Sequence, residues 1–466
     1  MRRNLTLTSL LSFFWCAVLS AQNPLDYNQY VYPDVRRSAL DVTLYTFGQN
    51  SGAKFSQQTK VNSSGFTGRG SFLYSLIAND RKLQQVQNFS GNLLYDFEKT
   101  SFTNAPLENR HTEFSFSLAY NNSKRNYSPN NNYDEIYYGV FSNLYSSSLD
   151  EQKNKYLNTI ATGGYRIGTG RIEPADELFQ AQFIMDDLAH KGLLVDNSQD
   201  GLFALGQLLA VQRQRRLLDS RVLYVNQLES ISQWLAATTE NFEAINFATA
   251  AIVISDNWLY NQFNNRAIGS RQSVGVDVRY NLYSNLEGRI TDLYQLGLYG
   301  EIYHTKPKNK HLHTSSLILG GVIYNNGNLL TSRTLPIKSV NPFFSGVYKV
   351  GYYPVSRTAL TLTGSVSAQA NMPQNGNRFG ALLRPEVIFG TQYFINFRTS
   401  FRADLTLFFQ RAGGSFRYEA ILPGHEIYGN QSVLLRSYEQ NFQGLFSPGI
   451  QRHGLYGSVT LSHAFF

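Results

Sequence analysis

The sequence predicts a mainly β protein, a transmembrane antiparallel β-barrel of about 14 strands (about 12–16) with an inserted α-helical subdomain. Three observations predict it. Segments of strictly alternating apolar and polar residues recur on both sides of the chain's middle. Between Ile172 and Gly269 the period changes from two to that of a helix. The composition joins 30 Tyr and 32 Phe to a mean hydropathy of −0.29. That is the profile of strands that face an apolar solvent on one side and water on the other.

The chain opens with a basic Met1-Arg2-Arg3-Asn4, an apolar run Leu5 to Leu19 and small residues Ser20-Ala21. This predicts a secretory signal peptide over 1–21, cut before Gln22 or one residue earlier. The single cysteine, Cys16, lies inside it, so the mature chain is expected to hold no disulfide, thiolate metal site or cysteine nucleophile. Residues 22–37 form a polar, tyrosine-rich lead-in. The first part of the barrel is expected over 38–167. Its alternating segments are Leu40–Phe47, Phe66–Ile77, Val86–Phe97, Thr112–Tyr120, Tyr133–Leu144 and Leu157–Tyr165. In the clearest, Phe114, Phe116, Leu118 and Tyr120 oppose Ser115, Ser117 and Ala119.

A helical periplasmic insert is expected over 168–270. Glu173-Pro174 opens the first helix, with Asp176 and Glu177 at its positive end and Leu178, Ala181, Met185 and Leu188 as an apolar stripe. Gly192 stops it. Asn197-Ser198 caps a second helix from Leu202 to Arg216, Asp219-Ser220 caps a third, and a fourth runs from about Asn241 to Phe263. The second part of the barrel, over 271–466, has segments Ser273–Leu282, Leu293–Tyr303, Thr314–Tyr324, Phe344–Tyr353, Ala359–Ala368, Phe379–Phe389, Phe397–Phe409 and the closing Leu455–Phe465.

Six strands before the insert put the insert on the side of the short, periplasmic turns. The connections expected on the other side are long: Gly48–Gly65, Glu98–His111, Asn325–Phe343 and Gln410–Gly454. Asn121–Asn132, about twelve residues where a short turn belongs, breaks this rule. A soluble β-sandwich would alternate too. It has no reason to set aromatics near so many strand ends, as Tyr74, Tyr95, Tyr120, Tyr280, Tyr324, Tyr352 and Tyr353 are set.

The last segment carries a resemblance. Leu455, Val459, Leu461 and Phe465 share a face, and the chain ends on Phe465-Phe466. This resembles the C-terminal insertion signal of bacterial outer-membrane β-barrel proteins. Phe466 departs from the pattern, because Phe465 keeps the apolar parity. The insert, with Gly170-Arg171-Ile172-Glu173-Pro174, Leu218-Asp219-Ser220-Arg221 and Asp256-Asn257-Trp258 followed by Arg266, resembles that of a group of barrel proteins from the Bacteroidota. These resemblances imply location in the cell outer membrane, contact with its lipids and handling by the outer-membrane insertion machinery. They imply no activity.

Functional candidates are few. Arg213, Arg215, Arg216 and Arg221 form a basic cluster, most simply a solvated helix face, otherwise a contact for an anion or a protein partner. His304, His311 and His313 gather near one turn without an acidic neighbour in sequence, so no metal site is expected. No motif calls for a cofactor or for catalysis. Ser458, Ser462 and His463 are the residues an outer-membrane lipid-modifying enzyme would draw on. The +8 formal charge falls to +6 without Arg2 and Arg3 and is scattered, which argues against nucleic acid. The expectation is a channel for small polar solutes. The alternative is an envelope-assembly or export component whose periplasmic insert recruits a protein partner.

Overall fold

The structure is a computed structural model. It describes residues 25–54, 60–102, 108–149, 152–192, 194–195, 198–212, 220–240, 247–259, 266–285, 290–329, 335–373, 380–396, 399–413 and 451–463. The predicted signal peptide and the terminal Phe465-Phe466 lie outside the described residues.

Fourteen strands form one antiparallel sheet in which each strand pairs with its sequence neighbours. They are β1 (Val35–Lys54), β2 (Lys60–Asn79), β3 (Leu83–Phe102), β4 (Glu108–Tyr127), β5 (Asn132–Leu149) and β6 (Gln152–Pro174). The helical segment follows: α1 (Asp176–His190), β7 (Leu194–Val195), α2 (Gln199–Gln212), α3 (Ser220–Thr238), β8 (Thr239–Glu240) and α4 (Phe247–Leu259). The sheet resumes with β9 (Ala267–Asn285), β10 (Ile290–Pro307), β11 (Leu312–Leu329), β12 (Leu335–Val355), β13 (Thr358–Pro373), β14 (Gly380–Asn396), β15 (Thr399–Gly413) and β16 (Gln451–His463). β6 pairs directly with β9, so the helices leave the sheet unbroken, while β7 and β8 make a separate two-stranded ladder. Among the described residues no ladder joins β1 to β16.

The strand count agrees with the alternation. The strands are longer than their apolar cores, because backbone pairing continues into polar ends that meet water. Three local expectations are corrected. The connections expected to be long at Gly48–Gly65, Glu98–His111 and Asn325–Phe343 are mostly strand, since ladder pairing continues through their polar residues and leaves only 55–59, 103–107 and 330–334 between strands. Asn121–Tyr127 completes β4 and Asn132 begins β5, so the connection is a turn over 128–131. Asn131, at φ 57°, takes the left-handed position that asparagine tolerates. Glu173-Pro174 ends a strand instead of opening a helix, since Pro174 faces Ala267 across the β6–β9 ladder. Helix α1 starts one residue later, after Ala175, with Asp176 and Glu177 in its first turn as expected.

Alternate side chains sort to two faces. On β5, Tyr133, Glu135 and Tyr137 are buried while Ile136, Tyr138 and Val140 are exposed. On β9, Arg271 and Ser273 are buried while Val274, Val276 and Val278 are exposed. On β1, Leu40, Val42 and Leu44 stand out, the last 81% exposed. The outer face is therefore an exposed apolar surface carried from strand to strand, and the polar groups turn inward. The inward side is concave. Strands β3 and β6 are three ladders apart, about 14 Å on a flat sheet and beyond the reach of a glutamine, yet Gln84 on β3 donates to the Ile172 carbonyl on β6 at 3.0 Å. Tyr137 on β5 and Tyr299 on β10 also meet across three ladders, hydroxyl to hydroxyl at 2.9 Å.

The helices form a cap at the end where the turns are short. Leu178, Ile184 and Leu188 of α1, Leu205 and Leu209 of α2, Ile231 and Leu235 of α3 and Ile254 of α4 share one buried core. Tyr27, Tyr30 and Tyr32 of the lead-in join it. Gly206 lets α1 and α2 come close: a Cβ there would stand 3.1 Å from Leu178 Cα. Ser198 caps α2, its hydroxyl accepting from Gly201 N at 3.0 Å. Gly192, at φ 87°, follows the end of α1. No described helix is long and apolar enough to cross a membrane, which says nothing of strands.

Candidate functional site: a charged interior beneath the helical cap

Five buried charges on the concave face alternate in sign. Glu135 accepts two hydrogen bonds from Arg125, at 3.0 and 2.8 Å, and lies 3.6 Å from Arg166. Arg166 continues to Glu301 at 3.4 Å, and Glu301 pairs closely with Arg271. The order Arg125, Glu135, Arg166, Glu301, Arg271 is thus plus, minus, plus, minus, plus. The register explains the first three: Arg125 faces Glu135 across β4–β5, and Glu135 faces Arg166 across β5–β6. The Arg166 guanidinium also lies over the Tyr137 ring at 4.6 Å and the Tyr299 ring at 5.5 Å. Each carboxylate touches two arginines, so no ion of the chain is left without an opposite.

Glycines make room for these side chains. A Cβ on Gly275 would stand 2.7 Å from Arg166 Cγ and 2.9 Å from the Tyr165 carbonyl. One on Gly164 would meet the Tyr137 ring at 2.2 Å, and one on Gly168 the Tyr133 hydroxyl at 2.6 Å. Each glycine sits beside a large inward residue on a neighbouring strand, so tyrosines and arginines lie flat against the wall. Toward the far end of β10–β12 the interior turns apolar, with Tyr299, Leu319, Ile323 and Phe343 packed together.

The cap is fastened around its rim. Arg266, just before β9, is clamped between the rings of Phe179 on α1 (3.8 Å) and Tyr353 on β12 (4.5 Å). It donates to the Lys310 carbonyl at 3.0 Å, and its own N–H goes to Asp176. Burial pushes its guanidinium down to about 10, opposed by Tyr353 and Asp176, so it stays charged at neutral pH. Lys310, in the β10–β11 turn, pairs with Asp186 of α1 at 2.5 Å. Arg357, in the β12–β13 turn, pairs with Asp256 of α4 at 2.9 Å. The lead-in to β1 also packs on the helices, with Tyr27 against the same Phe179 ring and Gln199 bonded to Gln29. At the base of the cap, Gly170 and Gly269 sit diagonally across the β6–β9 ladder with φ 90° and 123°. A side chain at either would run into backbone, with Ser270 O at 2.2 Å or Arg171 O at 2.1 Å.

The residues singled out from sequence fall as follows. Arg213, Arg215 and Arg216 lie outside the described residues, and Arg221 lies in the first turn of α3 with its side chain undescribed. Ser458, Ser462 and His463 are on β16, whose side chains are also undescribed. His311 and His313 do not converge on one point. His311 Nδ1 contacts the Tyr353 carbonyl at 2.8 Å, and His313 Nε2 contacts the Ala267 carbonyl at 2.8 Å. His304 is exposed on the outer face. Burial, with Lys310 nearby, lowers the His311 imidazole below its ordinary value. Among the described residues no group of three or more His, Cys, Asp or Glu could hold a metal ion. Tyr353, set by sequence among the boundary aromatics, faces inward beneath Arg266.

The five-charge chain was missed in the sequence. Its signal was partial, since only Glu135 and Glu301 stand at inward parity inside alternating stretches. Arg125 was assigned to a loop, Arg166 and Arg271 lay just past the segment ends, and parity alone does not say which charges meet.

No protein-family model matches the chain, and no curated protein matches it. Among solved structures it is similar to the alcaligin outer membrane receptor FauA of Bordetella pertussis, with 7% identity over 93% of this chain and a TM-score of 0.36. It is also similar to CdiB of Acinetobacter baumannii, with 8% identity over 81% of this chain and a TM-score of 0.26. The chain spans 58% and 62% of the lengths of those two proteins. At these scores neither likeness carries weight beside the geometry of the chain itself.

Proposed function

We propose that this chain is an outer-membrane β-barrel that conducts small polar solutes and is stoppered at its periplasmic mouth by the helical cap. The outer face supports the membrane. Exposed valines and leucines on every other position are costly in water and favourable in hydrocarbon, at about 25 cal/mol per Å². The turns at the cap's end, such as 128–131 and 356–357, are short, which supports a periplasmic position for the cap. One observation carries the stopper: a single helical body touches the wall at the lead-in to β1, at β6 and β9, and at the β10–β11 and β12–β13 turns. A body held at those points supports a stopper at that end of the barrel.

The test is conductance in planar bilayers. Joining Pro174 to Ala267 by a short turn, with the cap removed, is expected to raise conductance severalfold over the full chain. No conductance from either form would overturn the proposal. A second reading, a barrel that anchors a partner-binding cap, draws on Val225 and Ile252, exposed apolar residues on α3 and α4. It predicts silent bilayers and a co-purifying periplasmic protein.

A further inference from the structure

The buried arginines of the inner wall already have carboxylates: Arg125, Arg166 and Arg271 in the five-charge chain, and Arg384 with Glu386 at 3.0 Å. Lys349 differs. It sits on the inward face of β12, between the exposed outward residues Phe344 and Tyr348 and the buried Tyr353, and is itself part-buried. Among the described residues its ammonium makes no ion pair and no hydrogen bond. The charges acting on it are Arg402 and, through space, Asp176, whose Oδ1 accepts the Arg266 backbone N–H at 2.8 Å. An ammonium taken from water without a partner is costly, so a place that keeps one open is suited to an incoming anion.

The neighbours fit that role. Lys349 faces Ser315 on β11 and Thr363 on β13, and both hydroxyls are without a hydrogen-bond partner among the described residues. Thus one cation is flanked on both sides by O–H donors, the set an oxyanion requires. Gly351, two residues along, has no Cβ, and a Cβ there would stand 2.7 Å from the Tyr353 hydroxyl. The Tyr353 ring is therefore folded back along the strand toward Lys349. Arg402 on β15 adds a second positive group, partly neutralised by Asp404 at 2.6 Å.

We propose that Lys349, Ser315 and Thr363 form an anion-binding site on the inner wall beneath the cap, suited to the carboxylate or phosphate group of a small solute. The site rests on the reading of the concave face as a solvent-reached lumen. It does not require that solute pass through, so binding is measured apart from conductance. The full-length protein in detergent is titrated calorimetrically with inorganic phosphate and, separately, with acetate, at constant ionic strength. Saturable binding of at least one of the two is expected. Lys349→Met should weaken it at least tenfold, and Lys349→Arg should keep it within about threefold, since the charge is retained. Lys338→Met, at an exposed site on the outer face of the same strand, should leave it unchanged. Should Lys349→Met fail to fold, Ser315→Ala with Thr363→Val takes its place and is expected to weaken binding severalfold. Absence of saturable binding in the wild type, or equal binding in Lys349→Met, overturns the site. Conductance without anion binding would refute this site and spare the channel; binding without conductance would do the reverse.

Discussion

Replacing Glu301 by Gln tests the five-charge chain most directly. Glu301 is the one carboxylate between Arg166, at 3.4 Å, and Arg271, with which it pairs closely. At an effective dielectric of about 20, one contact at that distance is worth about 5 kcal/mol before desolvation. Removing the charge leaves three arginines against Glu135 alone. The expected loss is about 3–5 kcal/mol, the range for breaking a buried pair. Arg166→Met is the informative contrast. It takes out the central charge but leaves two balanced pairs, Arg125 with Glu135 and Arg271 with Glu301, so a smaller loss of about 1–2 kcal/mol is expected. Glu301→Gln combined with Arg271→Met should recover most of the loss. The assay is urea unfolding in lipid vesicles followed by far-ultraviolet circular dichroism, which reports the sheet. The only tryptophans beyond Trp15 are Trp234 and Trp258, both in cap helices, so their fluorescence reports the cap instead. A Glu301→Gln loss below about 1 kcal/mol, or one no larger than that of Arg166→Met, would refute the alternating-charge account.

Further expectations concern packing and the cap. Gly275→Ala should cost about 2 kcal/mol or more, because the new methyl meets the Tyr165 carbonyl as well as Arg166, and backbone cannot swing aside; unfolding by the same assay checks it. Phe179→Leu, which removes one ring from the Arg266 clamp, should cost the cap about 2–4 kcal/mol and shift Trp258 fluorescence before the sheet signal changes. Asp256→Asn should cost under about 1 kcal/mol and vanish in high salt, since its pair with Arg357 is largely exposed. The cap should also loosen in acid through His311. Its imidazole is held below the ordinary value, so between the two values the unfolded state binds more protons and stability falls as pH drops through the ordinary value near 6.5. The midpoint of the Trp258 transition should therefore fall between pH 7.5 and 5.5, and less so in His311→Gln.

Period-two and period-3.6 patterns are local properties, written in residues a few positions apart. For that reason the number of strands, their inward and outward parity and the four helices between Asp176 and Leu259 could be read from sequence alone. Ser198 and Gly192 were legible for the same reason, since caps and stops act within one turn. Where polar residues took over, the pattern fell silent. Asn121–Asn132 read as a loop although its backbone pairs through Tyr127, because hydrogen bonding in a ladder does not depend on side-chain hydropathy. Which side chains meet across the interior was settled only by the curvature of the sheet. Arg166 and Glu301 are 135 residues apart, and parity places both inward without saying that a rolled wall brings them to 3.4 Å. The docking of the cap on the strand turns, through Arg266, Lys310 and Arg357, likewise depends on long-range register and packing, which no stretch of the chain encodes by itself.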